Sequence, residues 1–205
     1  MKKVSLRLPW SDKDEWYVPD FEECRSFKEL PGDIDNALKL IVKHAKNRRI
    51  CIQAGGHLGF WPIALSTIFE QVITFEPAPV NLECLRENIK GITNIHLIDK
   101  ALSLKHNIRM ELGEHHNSGT YHVKSDGDIL TASIDDLAYD NVDLIYLDIE
   151  GSERDALKGA RKTIETSSPL IGLEYKLDIE IIKWIQYIFK YRIVGYPSRR
   201  DVLFK

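Results

Sequence analysis

The chain has 205 residues, 43% hydrophobic and 29% charged, enough apolar side chain for one packed domain and too much for wholesale disorder. It carries 28 basic and 31 acidic residues, a formal charge of −3, which disfavours avid binding to a nucleic-acid backbone. Three scattered cysteines (Cys24, Cys51, Cys84), no signal-peptide pattern and no bilayer-length apolar run predict a soluble cytoplasmic protein without a membrane partner.

Residues 1–32 show no helical period but hold Trp10, Trp16, Tyr17, Phe21 and Phe27. This segment reads as an N-terminal arm packed on a single domain of residues 33–205, with a substrate lid as the other reading. Ile34, Ala37, Leu38, Ile41, Val42 and Ala45 then repeat at helical spacing behind an Asp33 N-cap. From residue 50 strands and helices alternate. The strands are Ile50–Ala54, Val72–Phe75, Ile95–Ile98, Val142–Leu147 and Leu170–Leu173, with amphipathic helices between most of them. Short alternating runs separated by Gly113, Gly119 and Gly127 predict a β-hairpin insertion around 104–130. Ser152 and Asp155 have the spacing of a capping box. The last two strands, about 192–194 and 202–204, are too close for a crossover helix and should pair antiparallel.

This pattern predicts an α/β, Rossmann-like fold: a mostly parallel seven-stranded sheet with an antiparallel strand at one edge and helices on both faces. Ligands of such sheets lie beyond the carboxyl ends of the strands, so the strand-end residues are the candidates. The first strand ends in Gln53-Ala54-Gly55-Gly56-His57-Leu58-Gly59, where glycines let backbone approach a ligand. The second ends in Glu76-Pro77, a carboxylate placed to accept both hydroxyls of a ribose. The third ends in Asp99-Lys100-Ala101, where an acid suits an adenine amino group. Together these residues read as a nucleoside-cofactor site.

Turn and acid alone do not separate NAD from S-adenosylmethionine. The absence of a Tyr-x-x-x-Lys pair or a second domain favours the methyl donor over an NAD-dependent oxidoreductase. A non-catalytic cofactor-binding module on the same fold remains the alternative from another class. N-methylation of a nucleobase finds no Asn/Asp-Pro-Pro-Tyr-type run after the fourth strand.

The fourth strand runs into Asp148-Ile149-Glu150-Gly151-Ser152-Glu153. Together with Gly55–Gly59, Phe75-Glu76-Pro77, Ala101-Leu102-Ser103, Asn117-Ser118-Gly119 and Ser133–Leu137, this run resembles the FkbM family of S-adenosylmethionine-dependent methyltransferases over roughly residues 49–175. The resemblance implies O-methylation of a hydroxyl on a sugar, polyketide or similar small molecule. It also implies an acid two residues before the first glycine, where this chain has Gln53.

The acceptor side should be lined by Asp148, Glu150 and Glu174, one of them acting as general base, with Asp148 also counted among the cofactor-binding residues. A divalent cation between them is compatible with the chemistry but not required, and no metal ligand is assigned. Residues 101–135 and the aromatic arm should shape the acceptor pocket. His115 and His116 are adjacent and make a poor metal pair. Arg192, Arg199, Arg200 and Lys205 form a modest basic end that reads as a solvated face, with an anionic acceptor such as a phosphorylated sugar as the other use. A homodimer is compatible with all of this.

Overall fold

A computed structural model describes residues 1–104, 108–114 and 117–205, with backbone alone for 25–26, 108–114 and 123–126. Strands β1 (Lys2–Ser5) and β2 (Glu15–Val18) pair antiparallel at the N-terminus. Trp16 and Val18 point from β2 into the core and are fully buried, and the Trp16 indole N–H donates to Leu6 O at 2.9 Å. A 3₁₀ turn over Arg25–Lys28 leads into helix α1 (Leu30–His44). The helix therefore starts ahead of Asp33, because Pro31 occupies the first turn, where a missing N–H costs nothing.

The following elements are β3 (Ile50–Ala54), α2 (Phe60–Ser66), β4 (Gln71–Phe75), α3 (Pro79–Asn88) and β5 (Ile95–Ile98). The short strands β6 (Ala101–Leu102) and β9 (Thr131–Ala132) pair parallel and frame the antiparallel pair β7 (Ile108–Glu114) and β8 (Asn117–Asp126). Then come β10 (Val142–Leu147), α4 (Glu153–Lys158), α5 (Arg161–Ser167), β11 (Leu170–Glu174), α6 (Ile181–Ile188), β12 (Ile193–Gly195) and β13 (Asp201–Phe204).

Seven of these strands form one sheet in the order β12-β13-β11-β10-β3-β4-β5. The five from β11 to β5 are mutually parallel, and β13 runs against both β11 and β12. The antiparallel strand thus lies one place inside the edge. Both faces are covered, which explains the near-continuous apolar strands. Cys51, Val72, Leu144 and Tyr146 face a core built with α1, α2 and the N-terminal hairpin. Ile52, Ile73, Ile145 and Leu147 face the core built with α4, α5 and α6.

Asp143, the polar break in the β10 run, accepts the Arg49 backbone N–H and two guanidinium nitrogens at 2.7–2.9 Å. Burial pushes its carboxyl up, but these bonds outweigh that and hold it below the ordinary value. Asn88 closes α3 and behaves as a strand edge for β2. Tyr17 N donates to its Oδ1 and its Nδ2 donates to Tyr17 O, both at 2.8 Å; the same Nδ2 reaches Leu58 O. One amide thereby fastens the N-terminal hairpin to the turn after β3.

The Ser152/Asp155 capping box does not form. Ser152 sits at the N-cap of α4 without a side-chain cap bond. Glu153 Oε1 takes the N–H groups of Ile149 and Gly151, and Asp155 is drawn away to Ser103 Oγ and Leu104 N.

Candidate active site

The strand order reverses between β3 and β10, whose carboxyl ends touch through Asp148 N donating to Ala54 O at 3.1 Å. A cavity of about 370 Å³ opens over this switch point, within the size range of small-molecule sites.

The turn after β3 forms the floor. Gly55 has φ +84°, and a Cβ there would stand 1.9 Å from Asp148 O, so only glycine lets the two strand ends meet. Gly55 and Gly56 both donate to Phe75 O, at 3.1 and 2.8 Å. Gln53 is fully buried behind the turn: its Nε2 donates to Ala54 O (2.9 Å) and Gly55 O (3.0 Å), and its Oε1 accepts Thr74 Oγ1. A carboxylate could not make the first two bonds. The amide therefore suits this turn, and Gln53 shapes the site from beneath without lining it.

Glu76 is 4% exposed at the end of β4. Its Oε2 accepts the His57 backbone N–H at 2.7 Å and its Oε1 the Ala78 N–H at 2.9 Å. Burial raises its pKa, and those N–H groups pull it back. Oε2 keeps a free lone pair, and Oε1 also takes Asn81 Nδ2 in a long 3.5 Å bond that a ligand hydroxyl can displace, so the group stands as a preset double acceptor at the cavity wall. Ala54, Gly55, Gly56, His57, Pro77, Lys100 and Ala101 line the same cavity. Leu58 does not; it is fully buried core. Asp99 does not either: its side chain is 62% exposed and lies 3.3 Å from Arg86, outside the cavity walls.

The opposite end is acidic. Asp148, Glu150 and Glu174 all line the cavity, and one oxygen of each comes within 4.8 Å of the others. Glu174 pairs in register with Asp201 on β13, extending the acidic row. Burial, then Glu174, Asp201 and Glu150, drive the Asp148 carboxyl well above its ordinary range. Burial, then Glu174 and Glu153, raise Glu150 to about 7; burial, with Glu174 adding to it, raises Glu153 to about 7, and burial raises Asp201 to about 6. Glu150 stands at φ +51°, a conformation that non-glycine residues adopt at a cost of order 1 kcal/mol and that turns the chain sharply after β10.

Arg200 faces the row, 3.9 Å from Glu174 and 3.7 Å from Asp33. It is the member of the expected basic end that reaches the cavity, joined there by Lys176.

The arm and the hairpin contribute Phe27 and residues 117–121 to the cavity. They sit on the Glu76 side rather than on the acidic side: Asn81, which contacts Glu76, donates to Ser118 O at 3.0 Å, and Phe27 meets the His57 ring at 6.3 Å. Leu30, Phe60, Trp61 and Leu177 also line the walls and carry no site signal in the sequence. His115 and His116 lie outside the described residues.

The sequence model of the methyltransferase FkbM domain matches residues 55–196, more than half of the chain. The chain belongs to the FkbM family of S-adenosylmethionine-dependent methyltransferases. Among solved structures, the FkbM methyltransferase of Methylobacillus flagellatus is 23% identical with a TM-score of 0.55. The match covers 77% of this chain but only 44% of that one. A putative methyltransferase from Streptococcus mutans in complex with SAH is 12% identical, with a TM-score of 0.54 over 84% of this chain and 95% of its own. A precorrin-6y C5,15-methyltransferase from Geobacter metallireducens is 12% identical, with a TM-score of 0.52 over 83% of this chain and 88% of its own. At these identities the likeness is one of fold. No curated protein matches. The oxidoreductase alternative falls away with the family assignment.

Proposed function

We propose that this FkbM-family chain transfers a methyl group from S-adenosylmethionine to a hydroxyl of a small molecule such as a sugar or polyketide. The observation that carries the proposal is that one cavity joins a glycine turn, a buried double acceptor (Glu76) and a cluster of three carboxylates at the switch point. The residues present fit the cofactor. Glu76 accepts ribose hydroxyls, and Gly55 and Gly56 offer a side-chain-free approach. The acidic row complements a positively charged donor. When bound, a sulfonium supplies an electrophilic methyl group and leaves as a neutral thioether.

The chain then has to hold the acceptor oxygen in line and remove its proton. Glu150 is the base in this reading, because a group near 7 is matched to proton transfer at neutral pH. Asp148, its carboxyl raised by burial and its acidic neighbours, stands beside Glu150 as a further polar contact for the acceptor. Glu174, beside Arg200, orients the acceptor. No metal is needed for these steps. The three free cysteines and the modest negative charge support a cytoplasmic protein with no nucleic-acid or membrane partner.

Incubation with methyl-labelled S-adenosylmethionine and a panel of hydroxylated sugars and polyketides tests the proposal. The expected result is labelled ether product, lost about 100-fold or more in Glu150→Gln and retained in EDTA. Label appearing on nitrogen or carbon would overturn O-methylation, and loss in EDTA would replace the base with a metal.

A further inference from the structure

Three polar groups beside Glu76 have no role in the steps above: the Glu22 carboxylate, the Ser118 hydroxyl and the His57 imidazole. Glu22 is 1% exposed and Ser118 fully buried. A buried carboxylate is expensive unless hydrogen bonds replace its water, and Glu22 accepts three from the described residues. Oε1 accepts the Cys24 N–H at 2.8 Å, and Oε2 accepts both the N–H and the hydroxyl of Ser118 at 2.7 Å.

That inventory fixes a proton. The serine has one hydroxyl hydrogen and spends it on Glu22, so toward His57 Nε2, 2.7 Å away, it offers only lone pairs. Nε2 must therefore carry the imidazole hydrogen, and Nδ1 is left with the lone pair. Burial also depresses the ring to about 4, so it is neutral at pH 7. The ring lines the cavity, packed edge-on against Phe27 and Phe60. The His57 backbone meanwhile donates to Glu76, and Asn81 links Glu76 to Ser118 O. Glu22 itself does not line this cavity and acts through Ser118.

We infer that Glu22 and Ser118 are positioning residues for the cofactor: they lock His57 as the Nε2–H tautomer, making Nδ1 a fixed hydrogen-bond acceptor on a ring that lines the cavity. This role rests on the cofactor proposal and deepens it. It gives the N-terminal arm and the start of β8 a part in recognising the nucleoside. An N–H or O–H of the cofactor is the group that Nδ1 would take, whereas a protonated ring would repel the sulfonium.

Nitrogen NMR of histidine-labelled protein, with and without S-adenosylhomocysteine, tests it. The expected result is a protonated Nε2 and a bare Nδ1 in the unaltered protein, with the Nδ1 resonance moving upfield on adding the nucleoside. Ser118→Ala should mix the tautomers and raise the Kd for S-adenosylhomocysteine about tenfold, the loss of one buried hydrogen-bond chain. An Nδ1–H tautomer in the unaltered protein would overturn the inference. So would nucleoside binding that leaves the Nδ1 resonance unmoved, or Ser118→Ala binding as tightly as the unaltered protein. Failure of the unaltered protein to bind the nucleoside, with the Nε2–H tautomer in place, would instead remove the cofactor proposal and this role with it.

Discussion

The carboxylate of Glu76 receives the backbone N–H of His57 at 2.7 Å, so the end of β4 and the turn after β3 are one unit before any ligand arrives. Preset acceptors of this kind need little reorganisation when a ligand binds. The same economy governs the residues beneath the turn, and it makes their substitutions predictable.

Gln53→Glu should destabilise the protein by about 3 kcal/mol, because it buries a charge facing the carbonyls of Ala54 and Gly55 with no donor to offer them. Family resemblance alone predicts the reverse, an acid that improves the site. A denaturation midpoint unchanged from the unaltered protein would contradict the role given to the amide.

Gly55→Ala should cost at least about 3 kcal/mol, through overlap with Asp148 O and the positive φ together. Gly91, also at positive φ but with nothing near its Cβ position, is the control and should lose about 1 kcal/mol as Gly91→Ala. Thermal melts of both variants check the difference.

Stability should fall as pH rises from 6.5 to about 8. The folded pKa values of Glu150 and Glu153 are raised from 4.5 to about 7, so the native state holds more protons than the unfolded chain between those values. Their contribution is present below 4.5 and is lost as pH climbs through 7. Asp148 and Asp201, also raised, act in the same direction. His57 works the other way, but only between about 4 and its ordinary 6.5. Melting temperatures of the unaltered protein and Glu150→Gln at pH 6.5 and 8 test this, with a shallower decline expected in the variant.

Much of the candidate cavity's lining was legible because its parts fall at strand ends. A buried parallel strand announces itself as an apolar run, and the residue after it is on the ligand side of the sheet. That placed Ala54–His57, Glu76, Asp148 and Glu174 without any coordinates. Asp99 obeyed the same rule and still turned away, because Arg86 on α3 offered its carboxylate an ion pair outside the cavity.

What stayed hidden depends on contacts between distant segments. Glu22 and Ser118 are 96 positions apart, and nothing in either stretch signals a buried carboxylate. The β1–β2 hairpin is four residues to a strand with only Trp16 and Val18 fully buried, too short for alternation to stand out. Arg200 looked like part of a solvated basic end until β13 returned it across Glu174. The Ser152/Asp155 spacing misled because Ser103 and Leu104, on the chain after β6, compete for the same carboxylate.

Calorimetric titration with S-adenosylhomocysteine, of the unaltered protein and of Glu76→Ala, tests the central claim most directly. We expect binding in the micromolar range, weakened at least about tenfold in the variant, which loses the double acceptor. An absence of binding by the unaltered protein, or equal binding by a folded Glu76→Ala, would contradict the claim that this cavity holds the nucleoside of the methyl donor.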